Sequence, residues 1–181
     1  MKRVIIFFAD GFEEIEAISV VDILRRANVL VDMCSITGNE SVIGSHQISL
    51  KCDLSINDVI VSDYDACVLP GGMPGADTLS KNQQVKNIFV EMNKAGKLCC
   101  AICAAPMALY KFGLLSGKTC VSYPGFLEYE DVIKGAGKAA KDGNIITATG
   151  PAAATEFAFE ILKALGYIDE ANKIYKGMLF D

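Results

Sequence analysis

Residues 98–106 read Leu-Cys-Cys-Ala-Ile-Cys-Ala-Ala-Pro, an apolar run that passes directly into small residues and a proline. The run predicts a buried strand, and a helix is predicted over 104–112, immediately after Cys103. The small alanines permit a sharp strand-to-helix turn, which would present Cys103 at the edge of an open α/β sheet as a nucleophile. Because backbone N–H groups and the helix dipole stabilise negative charge there, this position predicts a lowered thiol pKa.

Outward from this segment, strand and helix patterns alternate along the chain. Apolar runs predict core strands at 4–9, 29–36 and 65–69 and a further strand at 118–122, with hairpins over 41–52 and 138–149. Helical spacing predicts helices at 13–27, around 85–92, over 157–165 and at 169–176. This order predicts an α/β fold, a doubly wound and mostly parallel sheet with helices on both faces. No linker, repeat or low-complexity stretch divides the chain, so residues 1–181 are expected to form a single domain.

Composition excludes several classes of protein. The chain is 51% hydrophobic and carries a net charge of −5 with no basic run, which argues against disorder and against nucleic-acid binding. The longest apolar stretches are too short to span a membrane, and the run at 4–9 meets acidic residues without a cleavage site for a signal peptide. Seven cysteines, mostly within apolar segments, are typical of reduced, buried thiols. We therefore expect a cytoplasmic protein without membrane or nucleic-acid partners.

Three unusual features follow predicted strands. The acidic stretch 11–16 follows the first strand, Gly71 and Gly72 follow the strand at 65–69, and Cys103 follows the strand that begins at Leu98. Ligands bind at the carboxyl ends of the strands in sheets of this kind. The three features are therefore expected to meet in one site.

Cys103 also fits other patterns of cysteine chemistry. With Cys100 it forms a C-x-x-C pattern, but a Cys100 within the strand would be packed, so a redox couple is disfavoured. Zinc is disfavoured because the chain has no second cysteine pair and only one histidine, His46. His46 falls in the predicted hairpin, so a Cys–His dyad of the papain type is disfavoured as well.

An acidic group is then the expected partner of the thiol. Glu13 and Glu14 can be explained as acids that complement the helix dipole, whereas Glu16 lies beside the apolar stripe, where partial burial would raise its pKa. Helical periodicity alone leaves Glu13 and Glu16 both open. Gly71 and Gly72 allow close approach of backbone N–H groups, which could serve as oxyanion donors facing Cys103.

The chain resembles the DJ-1/ThiJ/PfpI superfamily, and it is similar to the DJ-1-like branch from end to end. The resemblance rests on Ala-Asp-Gly-Phe-Glu-Glu-Ile-Glu at 9–16, Val-Leu-Pro-Gly-Gly at 68–72, Ala-Ile-Cys-Ala-Ala-Pro at 101–106, and Thr-Gly-Pro at 149–151 followed by Glu-Phe-Ala at 156–158. It implies a flavodoxin-like fold and a homodimer.

The resemblance also implies roles for individual residues. The reactive cysteine of the family falls on Cys103, its acidic partner on Glu16, and its oxyanion amides on Gly72 and Ala104. A low-pKa thiolate hydrogen-bonded to a protonated Glu16 is implied. Members of the family act as redox sensors, chaperones, cofactor-independent glyoxalases and deglycases.

Two positions depart from the family pattern. Many members have a histidine where this chain has Tyr123, just before Pro124, and a phenol is a poor base at neutral pH. An arginine that often precedes the Gly-Pro near the pocket is replaced by Thr149. Positive charge near the mouth of the pocket would then have to come from elsewhere in the chain, and Arg26 and His46 are the candidates.

These observations predict a cysteine-dependent enzyme that acts on small reactive carbonyls or glycated substrates and is linked to the oxidative stress response. Cys103 would be the nucleophile and Glu16 the acid and base, with no metal or organic cofactor. The alternative is a non-catalytic redox sensor or chaperone switched by oxidation of Cys103. A PfpI-type peptidase and a role in thiazole metabolism are less favoured. Exposed Ile15 and Ile18 on the first helix would suit a dimer contact.

Overall fold

The computed structural model describes residues 1–180, and a seven-stranded sheet forms its centre. The sheet order is β10-β11-β7-β6-β1-β2-β5, and every neighbouring pair is parallel except β10 with β11. The strands are β1 (Arg3–Phe8), β2 (Leu30–Ser35), β5 (Leu54–Ser55), β6 (Ala66–Leu69), β7 (Leu98–Ile102), β10 (Ala139–Asp142) and β11 (Ile145–Ala148). The predicted doubly wound, flavodoxin-like α/β architecture is confirmed.

Helices cover both faces of this sheet. They are α1 (Glu14–Arg26), α2 (Gly75–Lys81), α3 (Gln83–Lys94), α4 (Pro106–Lys111), α5 (Ala154–Ala164) and α6 (Ile168–Gly177). Successive side chains of a strand point to opposite faces, and β1 shows this directly. Its Val4, Ile6 and Phe8 pack in one core with α1 and α5, whereas Ile5 and Phe7 pack in the other with α2, α3 and α4. Burial on both faces explains why this strand is continuously apolar.

The order of the strands creates a crevice between β1 and β6. The chain proceeds from β1 outward through β2 and β5, then returns to the other side of β1 through β6 and β7. Connections leave in opposite directions at such a switch point, which opens space at the carboxyl ends of the strands. The three features that follow β1, β6 and β7 therefore lie at neighbouring strand ends.

Two small two-stranded sheets lie outside the main sheet. The hairpin expected over 41–52 is present as β3 (Ser41–Ile43) and β4 (Ser49–Lys51). The strand expected at 118–122 is present in shortened form as β8 (Thr119–Cys120), and it pairs with β9 (Ile133–Lys134) outside the main sheet. Beyond β8 the Val121 N–H donates to the Thr147 hydroxyl rather than to a strand carbonyl, which ends regular pairing.

Helix α2 was not predicted from the sequence. It is a seven-residue helix that begins at Gly75 and buries only a few side chains, so its apolar periodicity is weak. Within residues 1–180, no helix has both the length and the apolar character needed to cross a membrane.

Candidate functional site

Cys103 occupies the turn between β7 and α4 with a backbone φ of 65°. Positive φ is uncommon for a residue with a side chain and costs energy that the surroundings must offset. Here both backbone groups of Cys103 are held: its N–H donates to the Ala148 carbonyl at 2.9 Å, and its carbonyl accepts from the Tyr123 N–H at 2.8 Å. The strained turn is therefore maintained by β11 and by the segment after β8. It leaves Cys103 half-buried, while the other six cysteines are buried.

Glu16 lies beside Cys103 and is completely buried. Its Oε2 accepts a hydrogen bond from the Gly71 N–H at 2.8 Å, and its buried Oε1 has no partner of standard geometry among the described residues. The Cys103 thiol is near enough to interact with this carboxyl group. A β-carbon on Gly71 would come within 2.5 Å of Glu16 Oε2 and 2.6 Å of Cys103 Cβ. Gly71 is thus the spacer that lets the acid and the thiol meet.

The backbone N–H groups of Gly72 and Ala104 lie near the Cys103 sulfur and act to lower the pKa of the thiol. Gly72 adopts a φ of 88°, and a β-carbon there would collide with the backbone of the segment after β1. The expected pair of donors at Gly72 and Ala104 therefore faces the thiol. The expectation that Gly71 also supplies such a donor is corrected, because its N–H is used by Glu16.

The Glu16 carboxyl and the Cys103 thiol titrate as a coupled pair. Burial raises the pKa of Glu16 to about 7, against hydrogen bonds from Cys103 and Gly71 that lower it. Burial and the negative charge of Glu16 raise the pKa of Cys103 to about 12. The predicted lowering of the thiol pKa is therefore not met while Glu16 is ionised. Since two buried anions repel, a Cys103 thiolate requires a protonated Glu16, and the pair then carries one negative charge.

Glu13 and Glu14 have structural partners. Glu13 is the N-cap of α1, and its Oε2 accepts from the Glu16 N–H at 2.7 Å, which fixes the turn that carries Glu16. Glu14 accepts from the His46 N–H and lies 2.8 Å from His46 Nδ1. Burial alone would raise the pKa of Glu14, but the hydrogen bonds with His46 outweigh it and lower that pKa to about 2. The two glutamates thus tie the start of α1 to its own first turn and to the β3–β4 hairpin.

The expected positive charges do not face the thiol within the protomer. His46 contacts Glu14, and this contact raises the pKa of the imidazole. Arg26 lies in the last turn of α1, the end remote from Glu16, and pairs with Asp22 at 2.7 Å. Its expected position near the mouth is therefore corrected. Glu13, Glu14 and His46 are also close enough together to share a metal ion, although Glu14 and His46 already bind each other.

Tyr123, Pro124 and Thr149 line a cavity of about 210 Å³ beside the site. Gly150 connects this cavity with the thiol: a β-carbon there would lie 3.5 Å from the Tyr123 ring and 4.0 Å from the Cys103 sulfur. The importance of Gly150 and of the Ala148 carbonyl was missed in the sequence. Both act through the backbone, and only the Gly-Pro step after Thr149 hinted at a tight turn here.

The remaining cysteines behave as core residues. Cys100 is fully buried in β7, so it offers no accessible partner for a dithiol couple with Cys103. Burial raises the pKa of Cys34 to about 12 and the pKa values of Cys52 and Cys120 to about 11. Cys103 is therefore the thiol placed to react.

A flavodoxin-like sheet with a cysteine on a strained turn and an acid beneath it defines a class of α/β proteins with a reactive thiol. Residues 2–164 match the sequence profile of the DJ-1/PfpI family, and the chain belongs to this family. It is 35% identical over 188 residues to protein dj-1beta of Drosophila melanogaster, covering 98% of this chain and 97% of the relative. It is 34% identical to the Parkinson disease protein 7 homolog of Danio rerio, covering 91% and 89% of the two chains.

Solved structures of DJ-1 proteins share the fold of this chain. The structure of oxidized Toxoplasma gondii DJ-1 superposes with a TM-score of 0.95 at 35% identity, covering 99% of this chain and 98% of that chain. Drosophila melanogaster DJ-1beta gives a TM-score of 0.92 at 35% identity, covering 98% and 97%. The predicted membership of the DJ-1-like branch is confirmed.

Proposed function

We propose that this protein is a cofactor-independent enzyme that converts small 2-oxoaldehydes, such as methylglyoxal and glyoxal, to 2-hydroxy acids. One observation carries the proposal: the N–H groups of Gly72 and Ala104 both act on the Cys103 thiol, and the buried Glu16 carboxyl lies beside it. This arrangement combines a nucleophile, two oxyanion donors and a proton carrier whose pKa of about 7 suits transfer in both directions.

The reaction begins with the Cys103 thiolate and a protonated Glu16. The sulfur adds to the aldehyde carbon, the carbonyl electron pair moves to oxygen, and the N–H groups of Gly72 and Ala104 stabilise the resulting oxyanion until Glu16 donates its proton to that oxygen. A hemithioacetal and an ionised Glu16 result. Glu16 then removes the proton from the former aldehyde carbon and returns it to the neighbouring ketone carbon, while the hydroxyl proton of the hemithioacetal passes to the ketone oxygen.

This transfer oxidises the aldehyde carbon to a thioester and reduces the ketone to an alcohol, so no external oxidant or reductant is needed. Water then adds to the thioester, and the Cys103 thiolate leaves. The product from methylglyoxal is lactate, and the product from glyoxal is glycolate, each equal to substrate plus one water. Adducts of these dicarbonyls with amines are a second substrate class, since the same sulfur addition would release the dicarbonyl from its carrier.

Steady-state turnover of methylglyoxal by the reduced protein tests the proposal. We expect many turnovers per protein, lost in Cys103→Ser and in Glu16→Gln, with lactate as the product. Absence of multiple turnovers in the folded, reduced wild type would overturn it.

A second candidate is a redox sensor switched by Cys103. It is favoured by the distribution of exposure, because Cys103 is half-buried while the other six cysteines are buried. Limited peroxide would then modify Cys103 stoichiometrically, as located by peptide mass spectrometry, without any turnover of dicarbonyls. Random modification across several cysteines would exclude this candidate.

We also propose a homodimer formed through the outer face of α1. Ile15 and Ile18 are 58% and 41% exposed on this helix, and Ile43 and Ile48 of the adjacent hairpin are 48% and 58% exposed. Neighbouring exposed apolar side chains of this size favour a protein contact.

A further inference from the structure

A cavity of about 210 Å³ lies beside Cys103, on the other side of Gly150 from the thiol. Tyr123 and Thr149 line the cavity, and Gly150, next to Thr149, lies between the Tyr123 ring and the Cys103 sulfur. A group attached to a carbon that is bonded to the sulfur could therefore enter the cavity past Gly150. We call this cavity the side subsite.

The walls of the side subsite determine what it can hold. Val121, Leu127 and Val132 are buried and supply apolar side chains. The charged residues that line it, Glu128 and Lys134, pair with each other at 2.9 Å and are mostly exposed. Since their charges compensate, the subsite gives no attraction to a charged group. An uncharged, apolar group fits these walls best.

The volume of the side subsite also limits which groups it can bind. Pockets for drug-sized ligands span roughly 300 to 1,000 Å³, so this cavity holds a side group rather than a whole cofactor or peptide. A methyl group would leave most of it unfilled. The Tyr123 ring forms one wall and can pack against a planar group.

We propose that the side subsite binds the apolar substituent of a 2-oxoaldehyde, so that compounds with a branched or aryl substituent are preferred over methylglyoxal. This inference rests on the proposed function, in which Cys103 reacts with the aldehyde carbon. Tyr123 is then a specificity-determining residue, since its ring lines the subsite next to the reacting carbon.

The experiment compares kcat/KM for phenylglyoxal and methylglyoxal in wild type, Ser122→Phe and Ser122→Ala. Ser122 lines the cavity, and its hydroxyl donates only to the Tyr123 carbonyl beside it. Phenylalanine at 122 would fill the cavity, whereas alanine leaves it open. We expect the phenylglyoxal-to-methylglyoxal ratio to fall by about tenfold or more in Ser122→Phe. The ratio should stay within about twofold in Ser122→Ala.

If Ser122→Phe does not fold, Lys134→Trp replaces it, with Lys134→Met as its control, because Lys134 lies exposed at the mouth. An unchanged ratio in a folded cavity-filling variant would overturn the side subsite while leaving the proposed function intact. If neither compound is turned over, the proposed function is wrong. The side subsite is then tested by how well phenylglyoxal protects Cys103 from alkylation by iodoacetamide. Phenylglyoxal should protect wild type and Ser122→Ala better than Ser122→Phe. Equal protection of all three proteins would overturn the side subsite.

Discussion

The Gly71 N–H donates to Glu16 Oε2 at 2.8 Å, and Gly71 leaves no room for a side chain between Glu16 and Cys103. We expect Gly71→Ala to push the acid and the thiol apart. Turnover should fall by about 100-fold, because displacement of reacting groups by about 1 Å has effects of this size. The free energy of unfolding should fall by about 1 to 3 kcal/mol through overpacking. Kinetics and urea unfolding measure the two effects.

Gly177→Ala is the matched control for this variant. Gly177 ends α6, and a β-carbon there would meet nothing within 4 Å. Wild-type turnover in Gly71→Ala would show that the spacing is not needed.

Glu16→Gln should change two properties of the protein in opposite directions. Burial and the charge of Glu16 raise the pKa of Cys103, so a neutral glutamine lowers that pKa. Above pH 7 the rate of Cys103 alkylation by iodoacetamide should therefore exceed that of wild type. Turnover should nevertheless fall by about 100-fold or more, because the proton carrier is lost. If alkylation and turnover were both lost, Glu16 would only support the fold. Cys103→Ser is the control that measures alkylation of the other cysteines.

Glu16 should also make stability depend on pH. Burial raises its pKa in the folded protein from 4.5 to about 7, so the folded state retains a proton that the unfolded chain releases. Protonation of Glu16 therefore favours the folded state. This contribution to the free energy of unfolding is fully present below pH 4.5 and is lost as pH rises to about 7. The loss amounts to about 3 kcal/mol.

Urea unfolding of wild type and Glu16→Gln over this range isolates the effect. The free energy of unfolding of wild type, minus that of the variant, should decrease with pH and then become constant. The exposed Glu128, replaced by Gln, should not reproduce the decrease, since its pKa is lowered by hydrogen bonding to Lys134. A difference that is flat for Glu16→Gln would mean that Glu16 ionises normally in the folded protein.

Ile18→Glu tests the proposed dimer. A charge on the outer face of α1 should convert a dimer into a monomer, as measured by light scattering coupled to size exclusion. Ile60→Glu is the control. Ile60 is 62% exposed and precedes the short 3-10 helix Val61–Asp63, so it belongs neither to α1 nor to the β3–β4 hairpin. A monomeric wild type, or a dimeric Ile18→Glu protein, would refute this interface.

Sequence patterns correctly predicted those features of the structure that depend on neighbouring residues in the chain. The apolar run before Cys103 and the glycines after β6 placed both features at strand ends, and the order of strands and helices predicted the sheet. The strand expected at 118–122 forms only over Thr119–Cys120 and lies outside the main sheet, because an apolar segment does not reveal which strand it pairs with. Periodicity could not choose between Glu13 and Glu16, since both lie at the start of α1; burial of Glu16 and capping by Glu13 separate them.

The alternation of strands and helices and the cysteine at a strand-to-helix turn follow from the sequence alone, because they depend on short-range periodicity and on small residues. Three relationships come from the tertiary structure instead: which acid adjoins the thiol, that the Gly71 N–H binds Glu16, and that Arg26 lies at the far end of α1. These relationships join residues that are distant in the chain. Their pKa values follow from burial and from the distance between charges, which exist only once the sheet and helices have packed.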